Sequence, residues 1–171
     1  NEFTITTPEQ LYGLVELSFT NDFKDKTIYL GNDIKLNDGD ANTWEKNPPV
    51  NLWTPIGNSS ENSNAKPFAG TFDGKMHTIS GVYLHATSGA TGLFGFVAQT
   101  SVIRNLKLKN SYFECLEATP TSSSWTIVGS IVGRTNGTLD TVYSDAIVAA
   151  NGSYAGGMVG TVRGSGTTTL N

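Results

Sequence analysis

A phrase of the form glycine, two apolar residues, glycine returns three times in the second half of this sequence, and it limits the fold more than any other feature. It reads Gly92-Leu93-Phe94-Gly95, then Gly129-Ser130-Ile131-Val132-Gly133, then Gly156-Gly157-Met158-Val159-Gly160. A second phrase runs beside it. Ile79-x-x-Val82-x-Leu84 recurs 24 residues on as Ile103-x-x-Leu106-x-Leu108, and a further 36 on as Leu139-x-x-Val142-x-Ser144. Strands of four or five residues bounded by glycines are too short to form a sheet alone and must stack on their own copies. The spacing predicts a solenoid with a coil of about 22 to 25 residues and loops inserted at one or two corners, such as 117–124. Parallel stacking would turn the Ile, Leu and Val rows inward.

Composition points the same way. Charged residues are 15% of the 171, well under the usual share of about a quarter, while 22 Thr, 15 Ser, 15 Asn and 19 Gly supply small, turn-forming or β-tolerant positions. Long helices are disfavoured by that mixture. A net charge of −4 and a pI near 5.0 argue against a nucleic-acid backbone or an anionic membrane surface as partner, since both need a basic stripe. No run approaches 18 consecutive apolar residues, so no membrane-inserting helix is expected. The start at Asn1, without Met or signal peptide, suggests a mature or trimmed chain. The single Cys115 forbids an internal disulfide and any Cys-rich metal site.

The region 1–66 reads as an N-terminal cap, continuous as one domain with repeats over 67–171. Thr7 is placed to cap a helix, with Pro8 in its first turn and Gln10 completing a capping box. Leu11, Leu14, Val15 and Phe19 then form one apolar stripe, which should bury against the first coil, and Asn21-Asp22 ends the run. Phe3-Thr4-Ile5, Thr27-Ile28-Tyr29-Leu30 and Asp33-Ile34-Lys35-Leu36 read as strands. Two polar stretches, 37–51 and 58–66, read as surface loops.

At these residues the sequence resembles a family, the bacterial GLUG-motif proteins, named for a Gly-Leu-apolar-Gly repeat. The fullest copy is Ile131-Val132-Gly133-Arg134-Thr135-Asn136-Gly137-Thr138-Leu139-Asp140-Thr141-Val142-Tyr143-Ser144-Asp145-Ala146-Ile147-Val148, with Asp145 or Ala146 where the family carries Gly. Trp53-Thr54-Pro55-Ile56-Gly57 and Phe68 to Gly81 resemble the stretch that precedes such repeats. The resemblance covers most of the chain from Phe3 onward. It implies a right-handed parallel β-helix in surface or secreted proteins, often adhesin-like, with a similar module in immunoglobulin A proteases. The last repeat stops at Leu170-Asn171 with its strand incomplete, so further repeats or domains are expected beyond Asn171 and the final coil should present an open edge.

Candidate chemistry is sparse. Asp73 before Gly74 fits a turn in which the carboxylate accepts a backbone N–H two residues on, and this outweighs a catalytic pairing with His77. A β-helix lyase or hydrolase would need paired carboxylates, or a carboxylate beside bases, on adjacent coils of one face. Among Asp140, Asp145, Glu114 and Glu117, none falls in register with another acid across the repeats. Asp38, Asp40, Asn42 and Glu45 crowd one loop, but Thr43 and Pro49 stand where a calcium loop needs Gly and Glu. His77 and His85 lack a third ligand at metal spacing.

Trp44 and Trp125, in polar loops, are the candidate ligand-binding residues, because a flat ring beside Asn, Asp and Ser can stack on a sugar; each reads equally as a loop anchor. Trp53 lies in an apolar run and reads as core. The sequence therefore predicts an all-β, right-handed parallel β-helix with an N-terminal capping α-helix. Its expected role is a non-catalytic, adhesin-like module without metal or cofactor, secreted or at the bacterial cell surface. Its expected partners are a host glycan, a polysaccharide or a surface protein. The alternatives are a carbohydrate-active enzyme of the same fold and a structural stalk or accessory module of a surface protease.

Overall fold

A computed structural model describes residues 1–57, 66–116, 126–151 and 154–162, and there the chain is made of short parallel strands and one α-helix. In chain order these are β1 (Glu2–Ile5), α1 (Pro8–Ser18), β2 (Thr27–Leu30), β3 (Ile34–Lys35), a 3-10 turn (Ala41–Thr43), β4 (Thr71–Asp73), β5 (Thr78–Ser80), β6 (Tyr83–Ala86), β7 (Gly89–Thr91) and β8 (Phe94–Val97). They continue as β9 (Val102–Lys109), β10 (Tyr112–Cys115), β11 (Thr126–Gly129), β12 (Val132–Thr135), β13 (Thr138–Ser144), β14 (Ile147–Ala150), β15 (Tyr154–Gly156) and β16 (Val159–Val162). Strands β6, β10 and β14 form one three-stranded sheet; β7, β11 and β15 form a second; β8, β12 and β16 form a third. The seven-stranded sheet runs β1-β2-β4-β9-β5-β3, with β13 also paired to β9. From β6 onward the chain takes the four sheets in one fixed order, and each strand lies parallel to its predecessor in that sheet.

The glycine phrase is a physical stack. Phe94, Val132 and Val159 are neighbours in register, and the phrase is laced by Leu93 N–H to Ser130 O at 2.9 Å and Ile131 N–H to Met158 O at 3.0 Å. Small residues are required because two sheets meet there: a Cβ on Gly133 would strike the backbone of Thr91, and one on Gly160 would lie 2.7 Å from Gly133 O.

Only part of the other phrase is structural. Leu139 pairs with Ile103, Val142 with Leu106 and Ser144 with Leu108, as the 36-residue offset requires. The 24-residue offset fails. Ile79 pairs with Leu108, and Ile103 pairs instead with Phe72, because the first copy of the phrase spans β5 and β6 whereas the second lies wholly within β9.

Ile28, Phe72, Ile103 and Leu139 form one inward row, each 2% exposed or less. They belong to a single continuous cluster that draws on both 1–66 and 67–171, and Trp53 is inside it as expected. Deleting one such side chain to Ala costs about 2–5 kcal/mol.

The helix begins as its sequence predicts. Thr7 caps it, accepting from Gln10 N–H at 3.3 Å, but Gln10 Oε1 reaches past the cap to Thr6 N–H at 2.7 Å. Leu11, Leu14 and Val15 enter the core. Phe19 does not; it is the C-cap residue and 45% exposed. Seven residues make nearly two turns, so Ser18 rather than Phe19 lies below Leu11. Its hydroxyl bonds Val15 O at 2.6 Å and accepts from Gly57 N–H at 3.3 Å.

Candidate functional site

The loop 37–51, expected as a surface excursion, folds back onto the outer face of the β6-β10-β14 sheet. Strand alternation sets that face. Leu84 and Phe113 point into the core, so Tyr83 stands beside Tyr112 and His85 beside Glu114 on the outside. The loop is closed at its ends by Asn37, whose Nδ2 donates to Asn51 O at 2.8 Å while its Oδ1 accepts from Asn51 N–H at 3.1 Å. It is pinned in the middle by Asn110, which accepts from Ala41 N–H at 2.9 Å and donates to Gly39 O at 2.8 Å.

Trp44 sits at the centre of this contact and is 2% exposed. Its ring meets Tyr83 edge-on, with centroids 6.0 Å apart, and Tyr83 stacks on Tyr112 at 6.0 Å. A sugar platform needs an open aromatic face, and Trp44 has none, so of its two readings the ligand platform is corrected and the loop anchor stands. Burial, followed by the charge of Glu114, raises the phenols of Tyr83 and Tyr112 above the usual range. Trp125, Glu117, the loop 117–124 and positions 58–65 lie outside the described residues.

Beside the aromatic group, His85 Nδ1 lies 2.6 Å from Glu114 Oε2, with the imidazole about half exposed and the carboxylate mostly covered. The carboxylate orients the ring, leaving its other nitrogen to exchange hydrogen bonds with a polar ligand. Two of the loop's acids already have partners in the chain. Asp40 caps the 3-10 turn by accepting from Asn42 N–H at 3.0 Å, and Asp38 pairs with Lys35 at 2.7 Å. The two histidines are not brought together, for His77 Nδ1 lies 3.1 Å from Asp33 Oδ1. Among the described residues, no three His, Cys, Asp or Glu side chains gather as a metal site.

A second polar group lies on the outer face of the seven-stranded sheet. Asp73 accepts from Lys75 N–H at 2.9 Å, as its turn predicts, and also from Arg104 Nε at 2.9 Å and Asn105 Nδ2 at 3.0 Å. Burial pushes its carboxyl up, but Asn105, the Lys75 amide and Arg104 outweigh this and hold it below the usual range. Asp140 stands in the same row on the far side of Arg104. The expectation that no acid shares register with another is thereby corrected: the row joins Asp73 to Asp140 across strands that the sequence phrases did not align. With Asp73 only 2% exposed and committed to three donors, its bonds to Arg104 and Asn105 brace β4 against β9. Nothing in the repeat spacing marked Arg104 or Asn110, since both act through partners more than 30 residues away.

No family model matches the chain, and no solved structure matches it. Two curated proteins are similar over part of it. One, from Evansella cellulosilytica and provisionally named a Gly-rich membrane protein, is 33% identical over 91 residues, 53% of this chain and 9% of the relative. The other, halomucin of Haloquadratum walsbyi, is 32% identical over 108 residues, 63% of this chain and 1% of its own length. The chain thus spans less than a tenth of each. Among the described residues, no helix is long and apolar enough to cross a membrane.

Proposed function

We propose that this chain is a non-catalytic display and binding module, built as a right-handed parallel β-helix and belonging to a secreted or cell-surface bacterial protein. The recurrence of β6–β9 in β10–β13 and β14–β16 carries the reading. Each set advances by one strand spacing of about 4.8 Å, so side chains and loops on the outer faces are held at fixed intervals. Such a frame suits repeated weak contacts to a glycan, polysaccharide or surface protein, which add by avidity. Relatives named a membrane protein and a halomucin support the surface setting. The proposed contacts are the His85–Glu114 pair and Trp125.

A specific observation favours a second reading, a structural stalk or accessory module. Trp44, Trp53, Tyr83 and Tyr112 are all 7% exposed or less, so these aromatic faces are committed to packing. The experiment is binding of the purified chain to an array of host and bacterial glycans, with and without calcium, beside His85→Ala and Trp125→Ala variants. Selective binding lost in either variant supports display. A blank array, together with no binding to host-surface protein preparations, sinks it and leaves the stalk.

A further inference from the structure

Phe3 breaks a rule that the rest of its row obeys. It lies beside Ile28 in register, and the row continues through Phe72, Ile103 and Leu139, all buried. Phe3 itself is 51% exposed. Among the described residues the core is therefore open at this end, and a groove of about 440 Å³ lies beside Phe3, lined by Leu14 and Leu17 of α1 and by Phe23 and Ile28. Leu17 is 55% exposed. The helix that was expected to close the first layer buries Leu11, Leu14 and Val15 but leaves this corner unfilled.

The same corner carries the outer edge of β1. Among the described residues β1 pairs only with β2. Asn1 and Ile5 present their carbonyls to β2, accepting from Thr27 and Gly31 N–H, so the alternation of a parallel ladder turns the peptide groups of Glu2 and Thr4 away from it. An apolar hole alone would suit many ligands, but an apolar hole beside unpaired peptide groups suits a polypeptide strand, whose backbone completes the edge while alternate side chains fill the hole. Two cations, Lys24 and Lys26, line the groove and have no ion-pair partner among the described residues. Asp22, which accepts from Lys24 N–H at 3.0 Å, also lines the groove, and the two lysines outnumber its one carboxylate.

We propose that the edge of β1 and the adjoining groove accept one extended strand of a partner polypeptide, added parallel to β1. The incoming strand carries apolar side chains opposite Phe3 and Ile5 and an acidic residue that reaches Lys24 or Lys26. This inference goes beyond the display reading and does not depend on it.

The test uses two fluorescent, end-capped eight-residue peptides with Val at alternate positions, one with Asp and one with Lys at both flanks. Anisotropy is read on the full chain and on Thr4→Pro, Leu17→Glu and Lys24→Glu/Lys26→Glu variants. Thr4→Pro removes an outward N–H and no bond to β2, and Leu17 is exposed, so both variants should fold, as melting curves will check. The Asp peptide should bind at least tenfold more tightly than the Lys peptide and protect the Glu2 and Thr4 amides from hydrogen exchange. Either the proline or the Leu17 substitution should weaken it tenfold or more, and the double Lys variant should reverse the preference between peptides. No saturable binding, or binding indifferent to Thr4→Pro, overturns the proposal. Self-association of the chain that Thr4→Pro abolishes would overturn the outside donor in favour of a second copy.

Discussion

Thr141 stands alongside Asn105 across the β9–β13 pair, and both hold a left-handed backbone, with φ of 54° and 51°. The kink lets β9 pair with β4 through its first residues and with β5 through its last. Asparagine tolerates this conformation, whereas a β-branched residue pays about 1–2 kcal/mol for it. Thr141 is exposed, and among the described residues its hydroxyl bonds only the neighbouring Asp140, at 3.1 Å. Thr141→Asn should therefore stabilise the chain by about 0.5–1 kcal/mol, read as a higher urea midpoint. A lower midpoint would show that the threonine side chain matters more than its backbone.

Much of the strand framework was legible because its cause is local. Gly-bounded apolar pairs and the Thr7-Pro8-Glu9-Gln10 start act over a few residues, and both appear where the sequence puts them. Register was less legible, since matching Ile79 to Ile103 uses hydropathy alone and nothing in that pattern counts the extra turn between β5 and β6. The site was least legible. Trp44 sits among polar neighbours, and only the aromatic pair Tyr83–Tyr112 assembled by β6 and β10 explains why it is buried.

Asp73 predicts an acid limit to stability. Its folded pKa lies below the unfolded value, so its contribution is fully present above about pH 4 and is lost as the pH falls through the folded pKa. Asp33 is lowered too, by the Thr78 amide and then His77, but it is exposed and should contribute less. Asp73→Asn should cost about 1–3 kcal/mol at pH 7, because it removes a charge-assisted bond to Arg104. The gap from the parent should narrow by pH 2.5. Urea unfolding at both pH values decides it, and an equal gap at both would remove Asp73 as the source.

Trp44 anchors its loop, so Trp44→Ala should destabilise the chain by about 3–5 kcal/mol. Hydrogen exchange should accelerate at the amides of Ala41, Thr43 and Trp44, which are held by bonds of 2.9 to 3.2 Å within the loop and to Asn110. Trp44→Phe keeps an aromatic edge against Tyr83 and should recover most of the loss. Full stability in the alanine variant would mean that the ring is not what holds the loop down.

Gly133 and Gly157 differ in the space available to a side chain. A Cβ at Gly133 would run into the backbone of Thr91 and Ala90, which cannot move without parting β7 from β12, whereas one at Gly157 meets nothing within 4 Å. Gly133→Ala should cost at least about 2 kcal/mol, as an overpacked site with no flexible neighbour to give way. Gly157→Ala should change stability by about 0.5 kcal/mol or less. Paired thermal melts separate two explanations for the recurring phrase. A large loss at Gly133 alone assigns its glycines to close backbone approach, while equal losses at both positions would assign them to turn conformation.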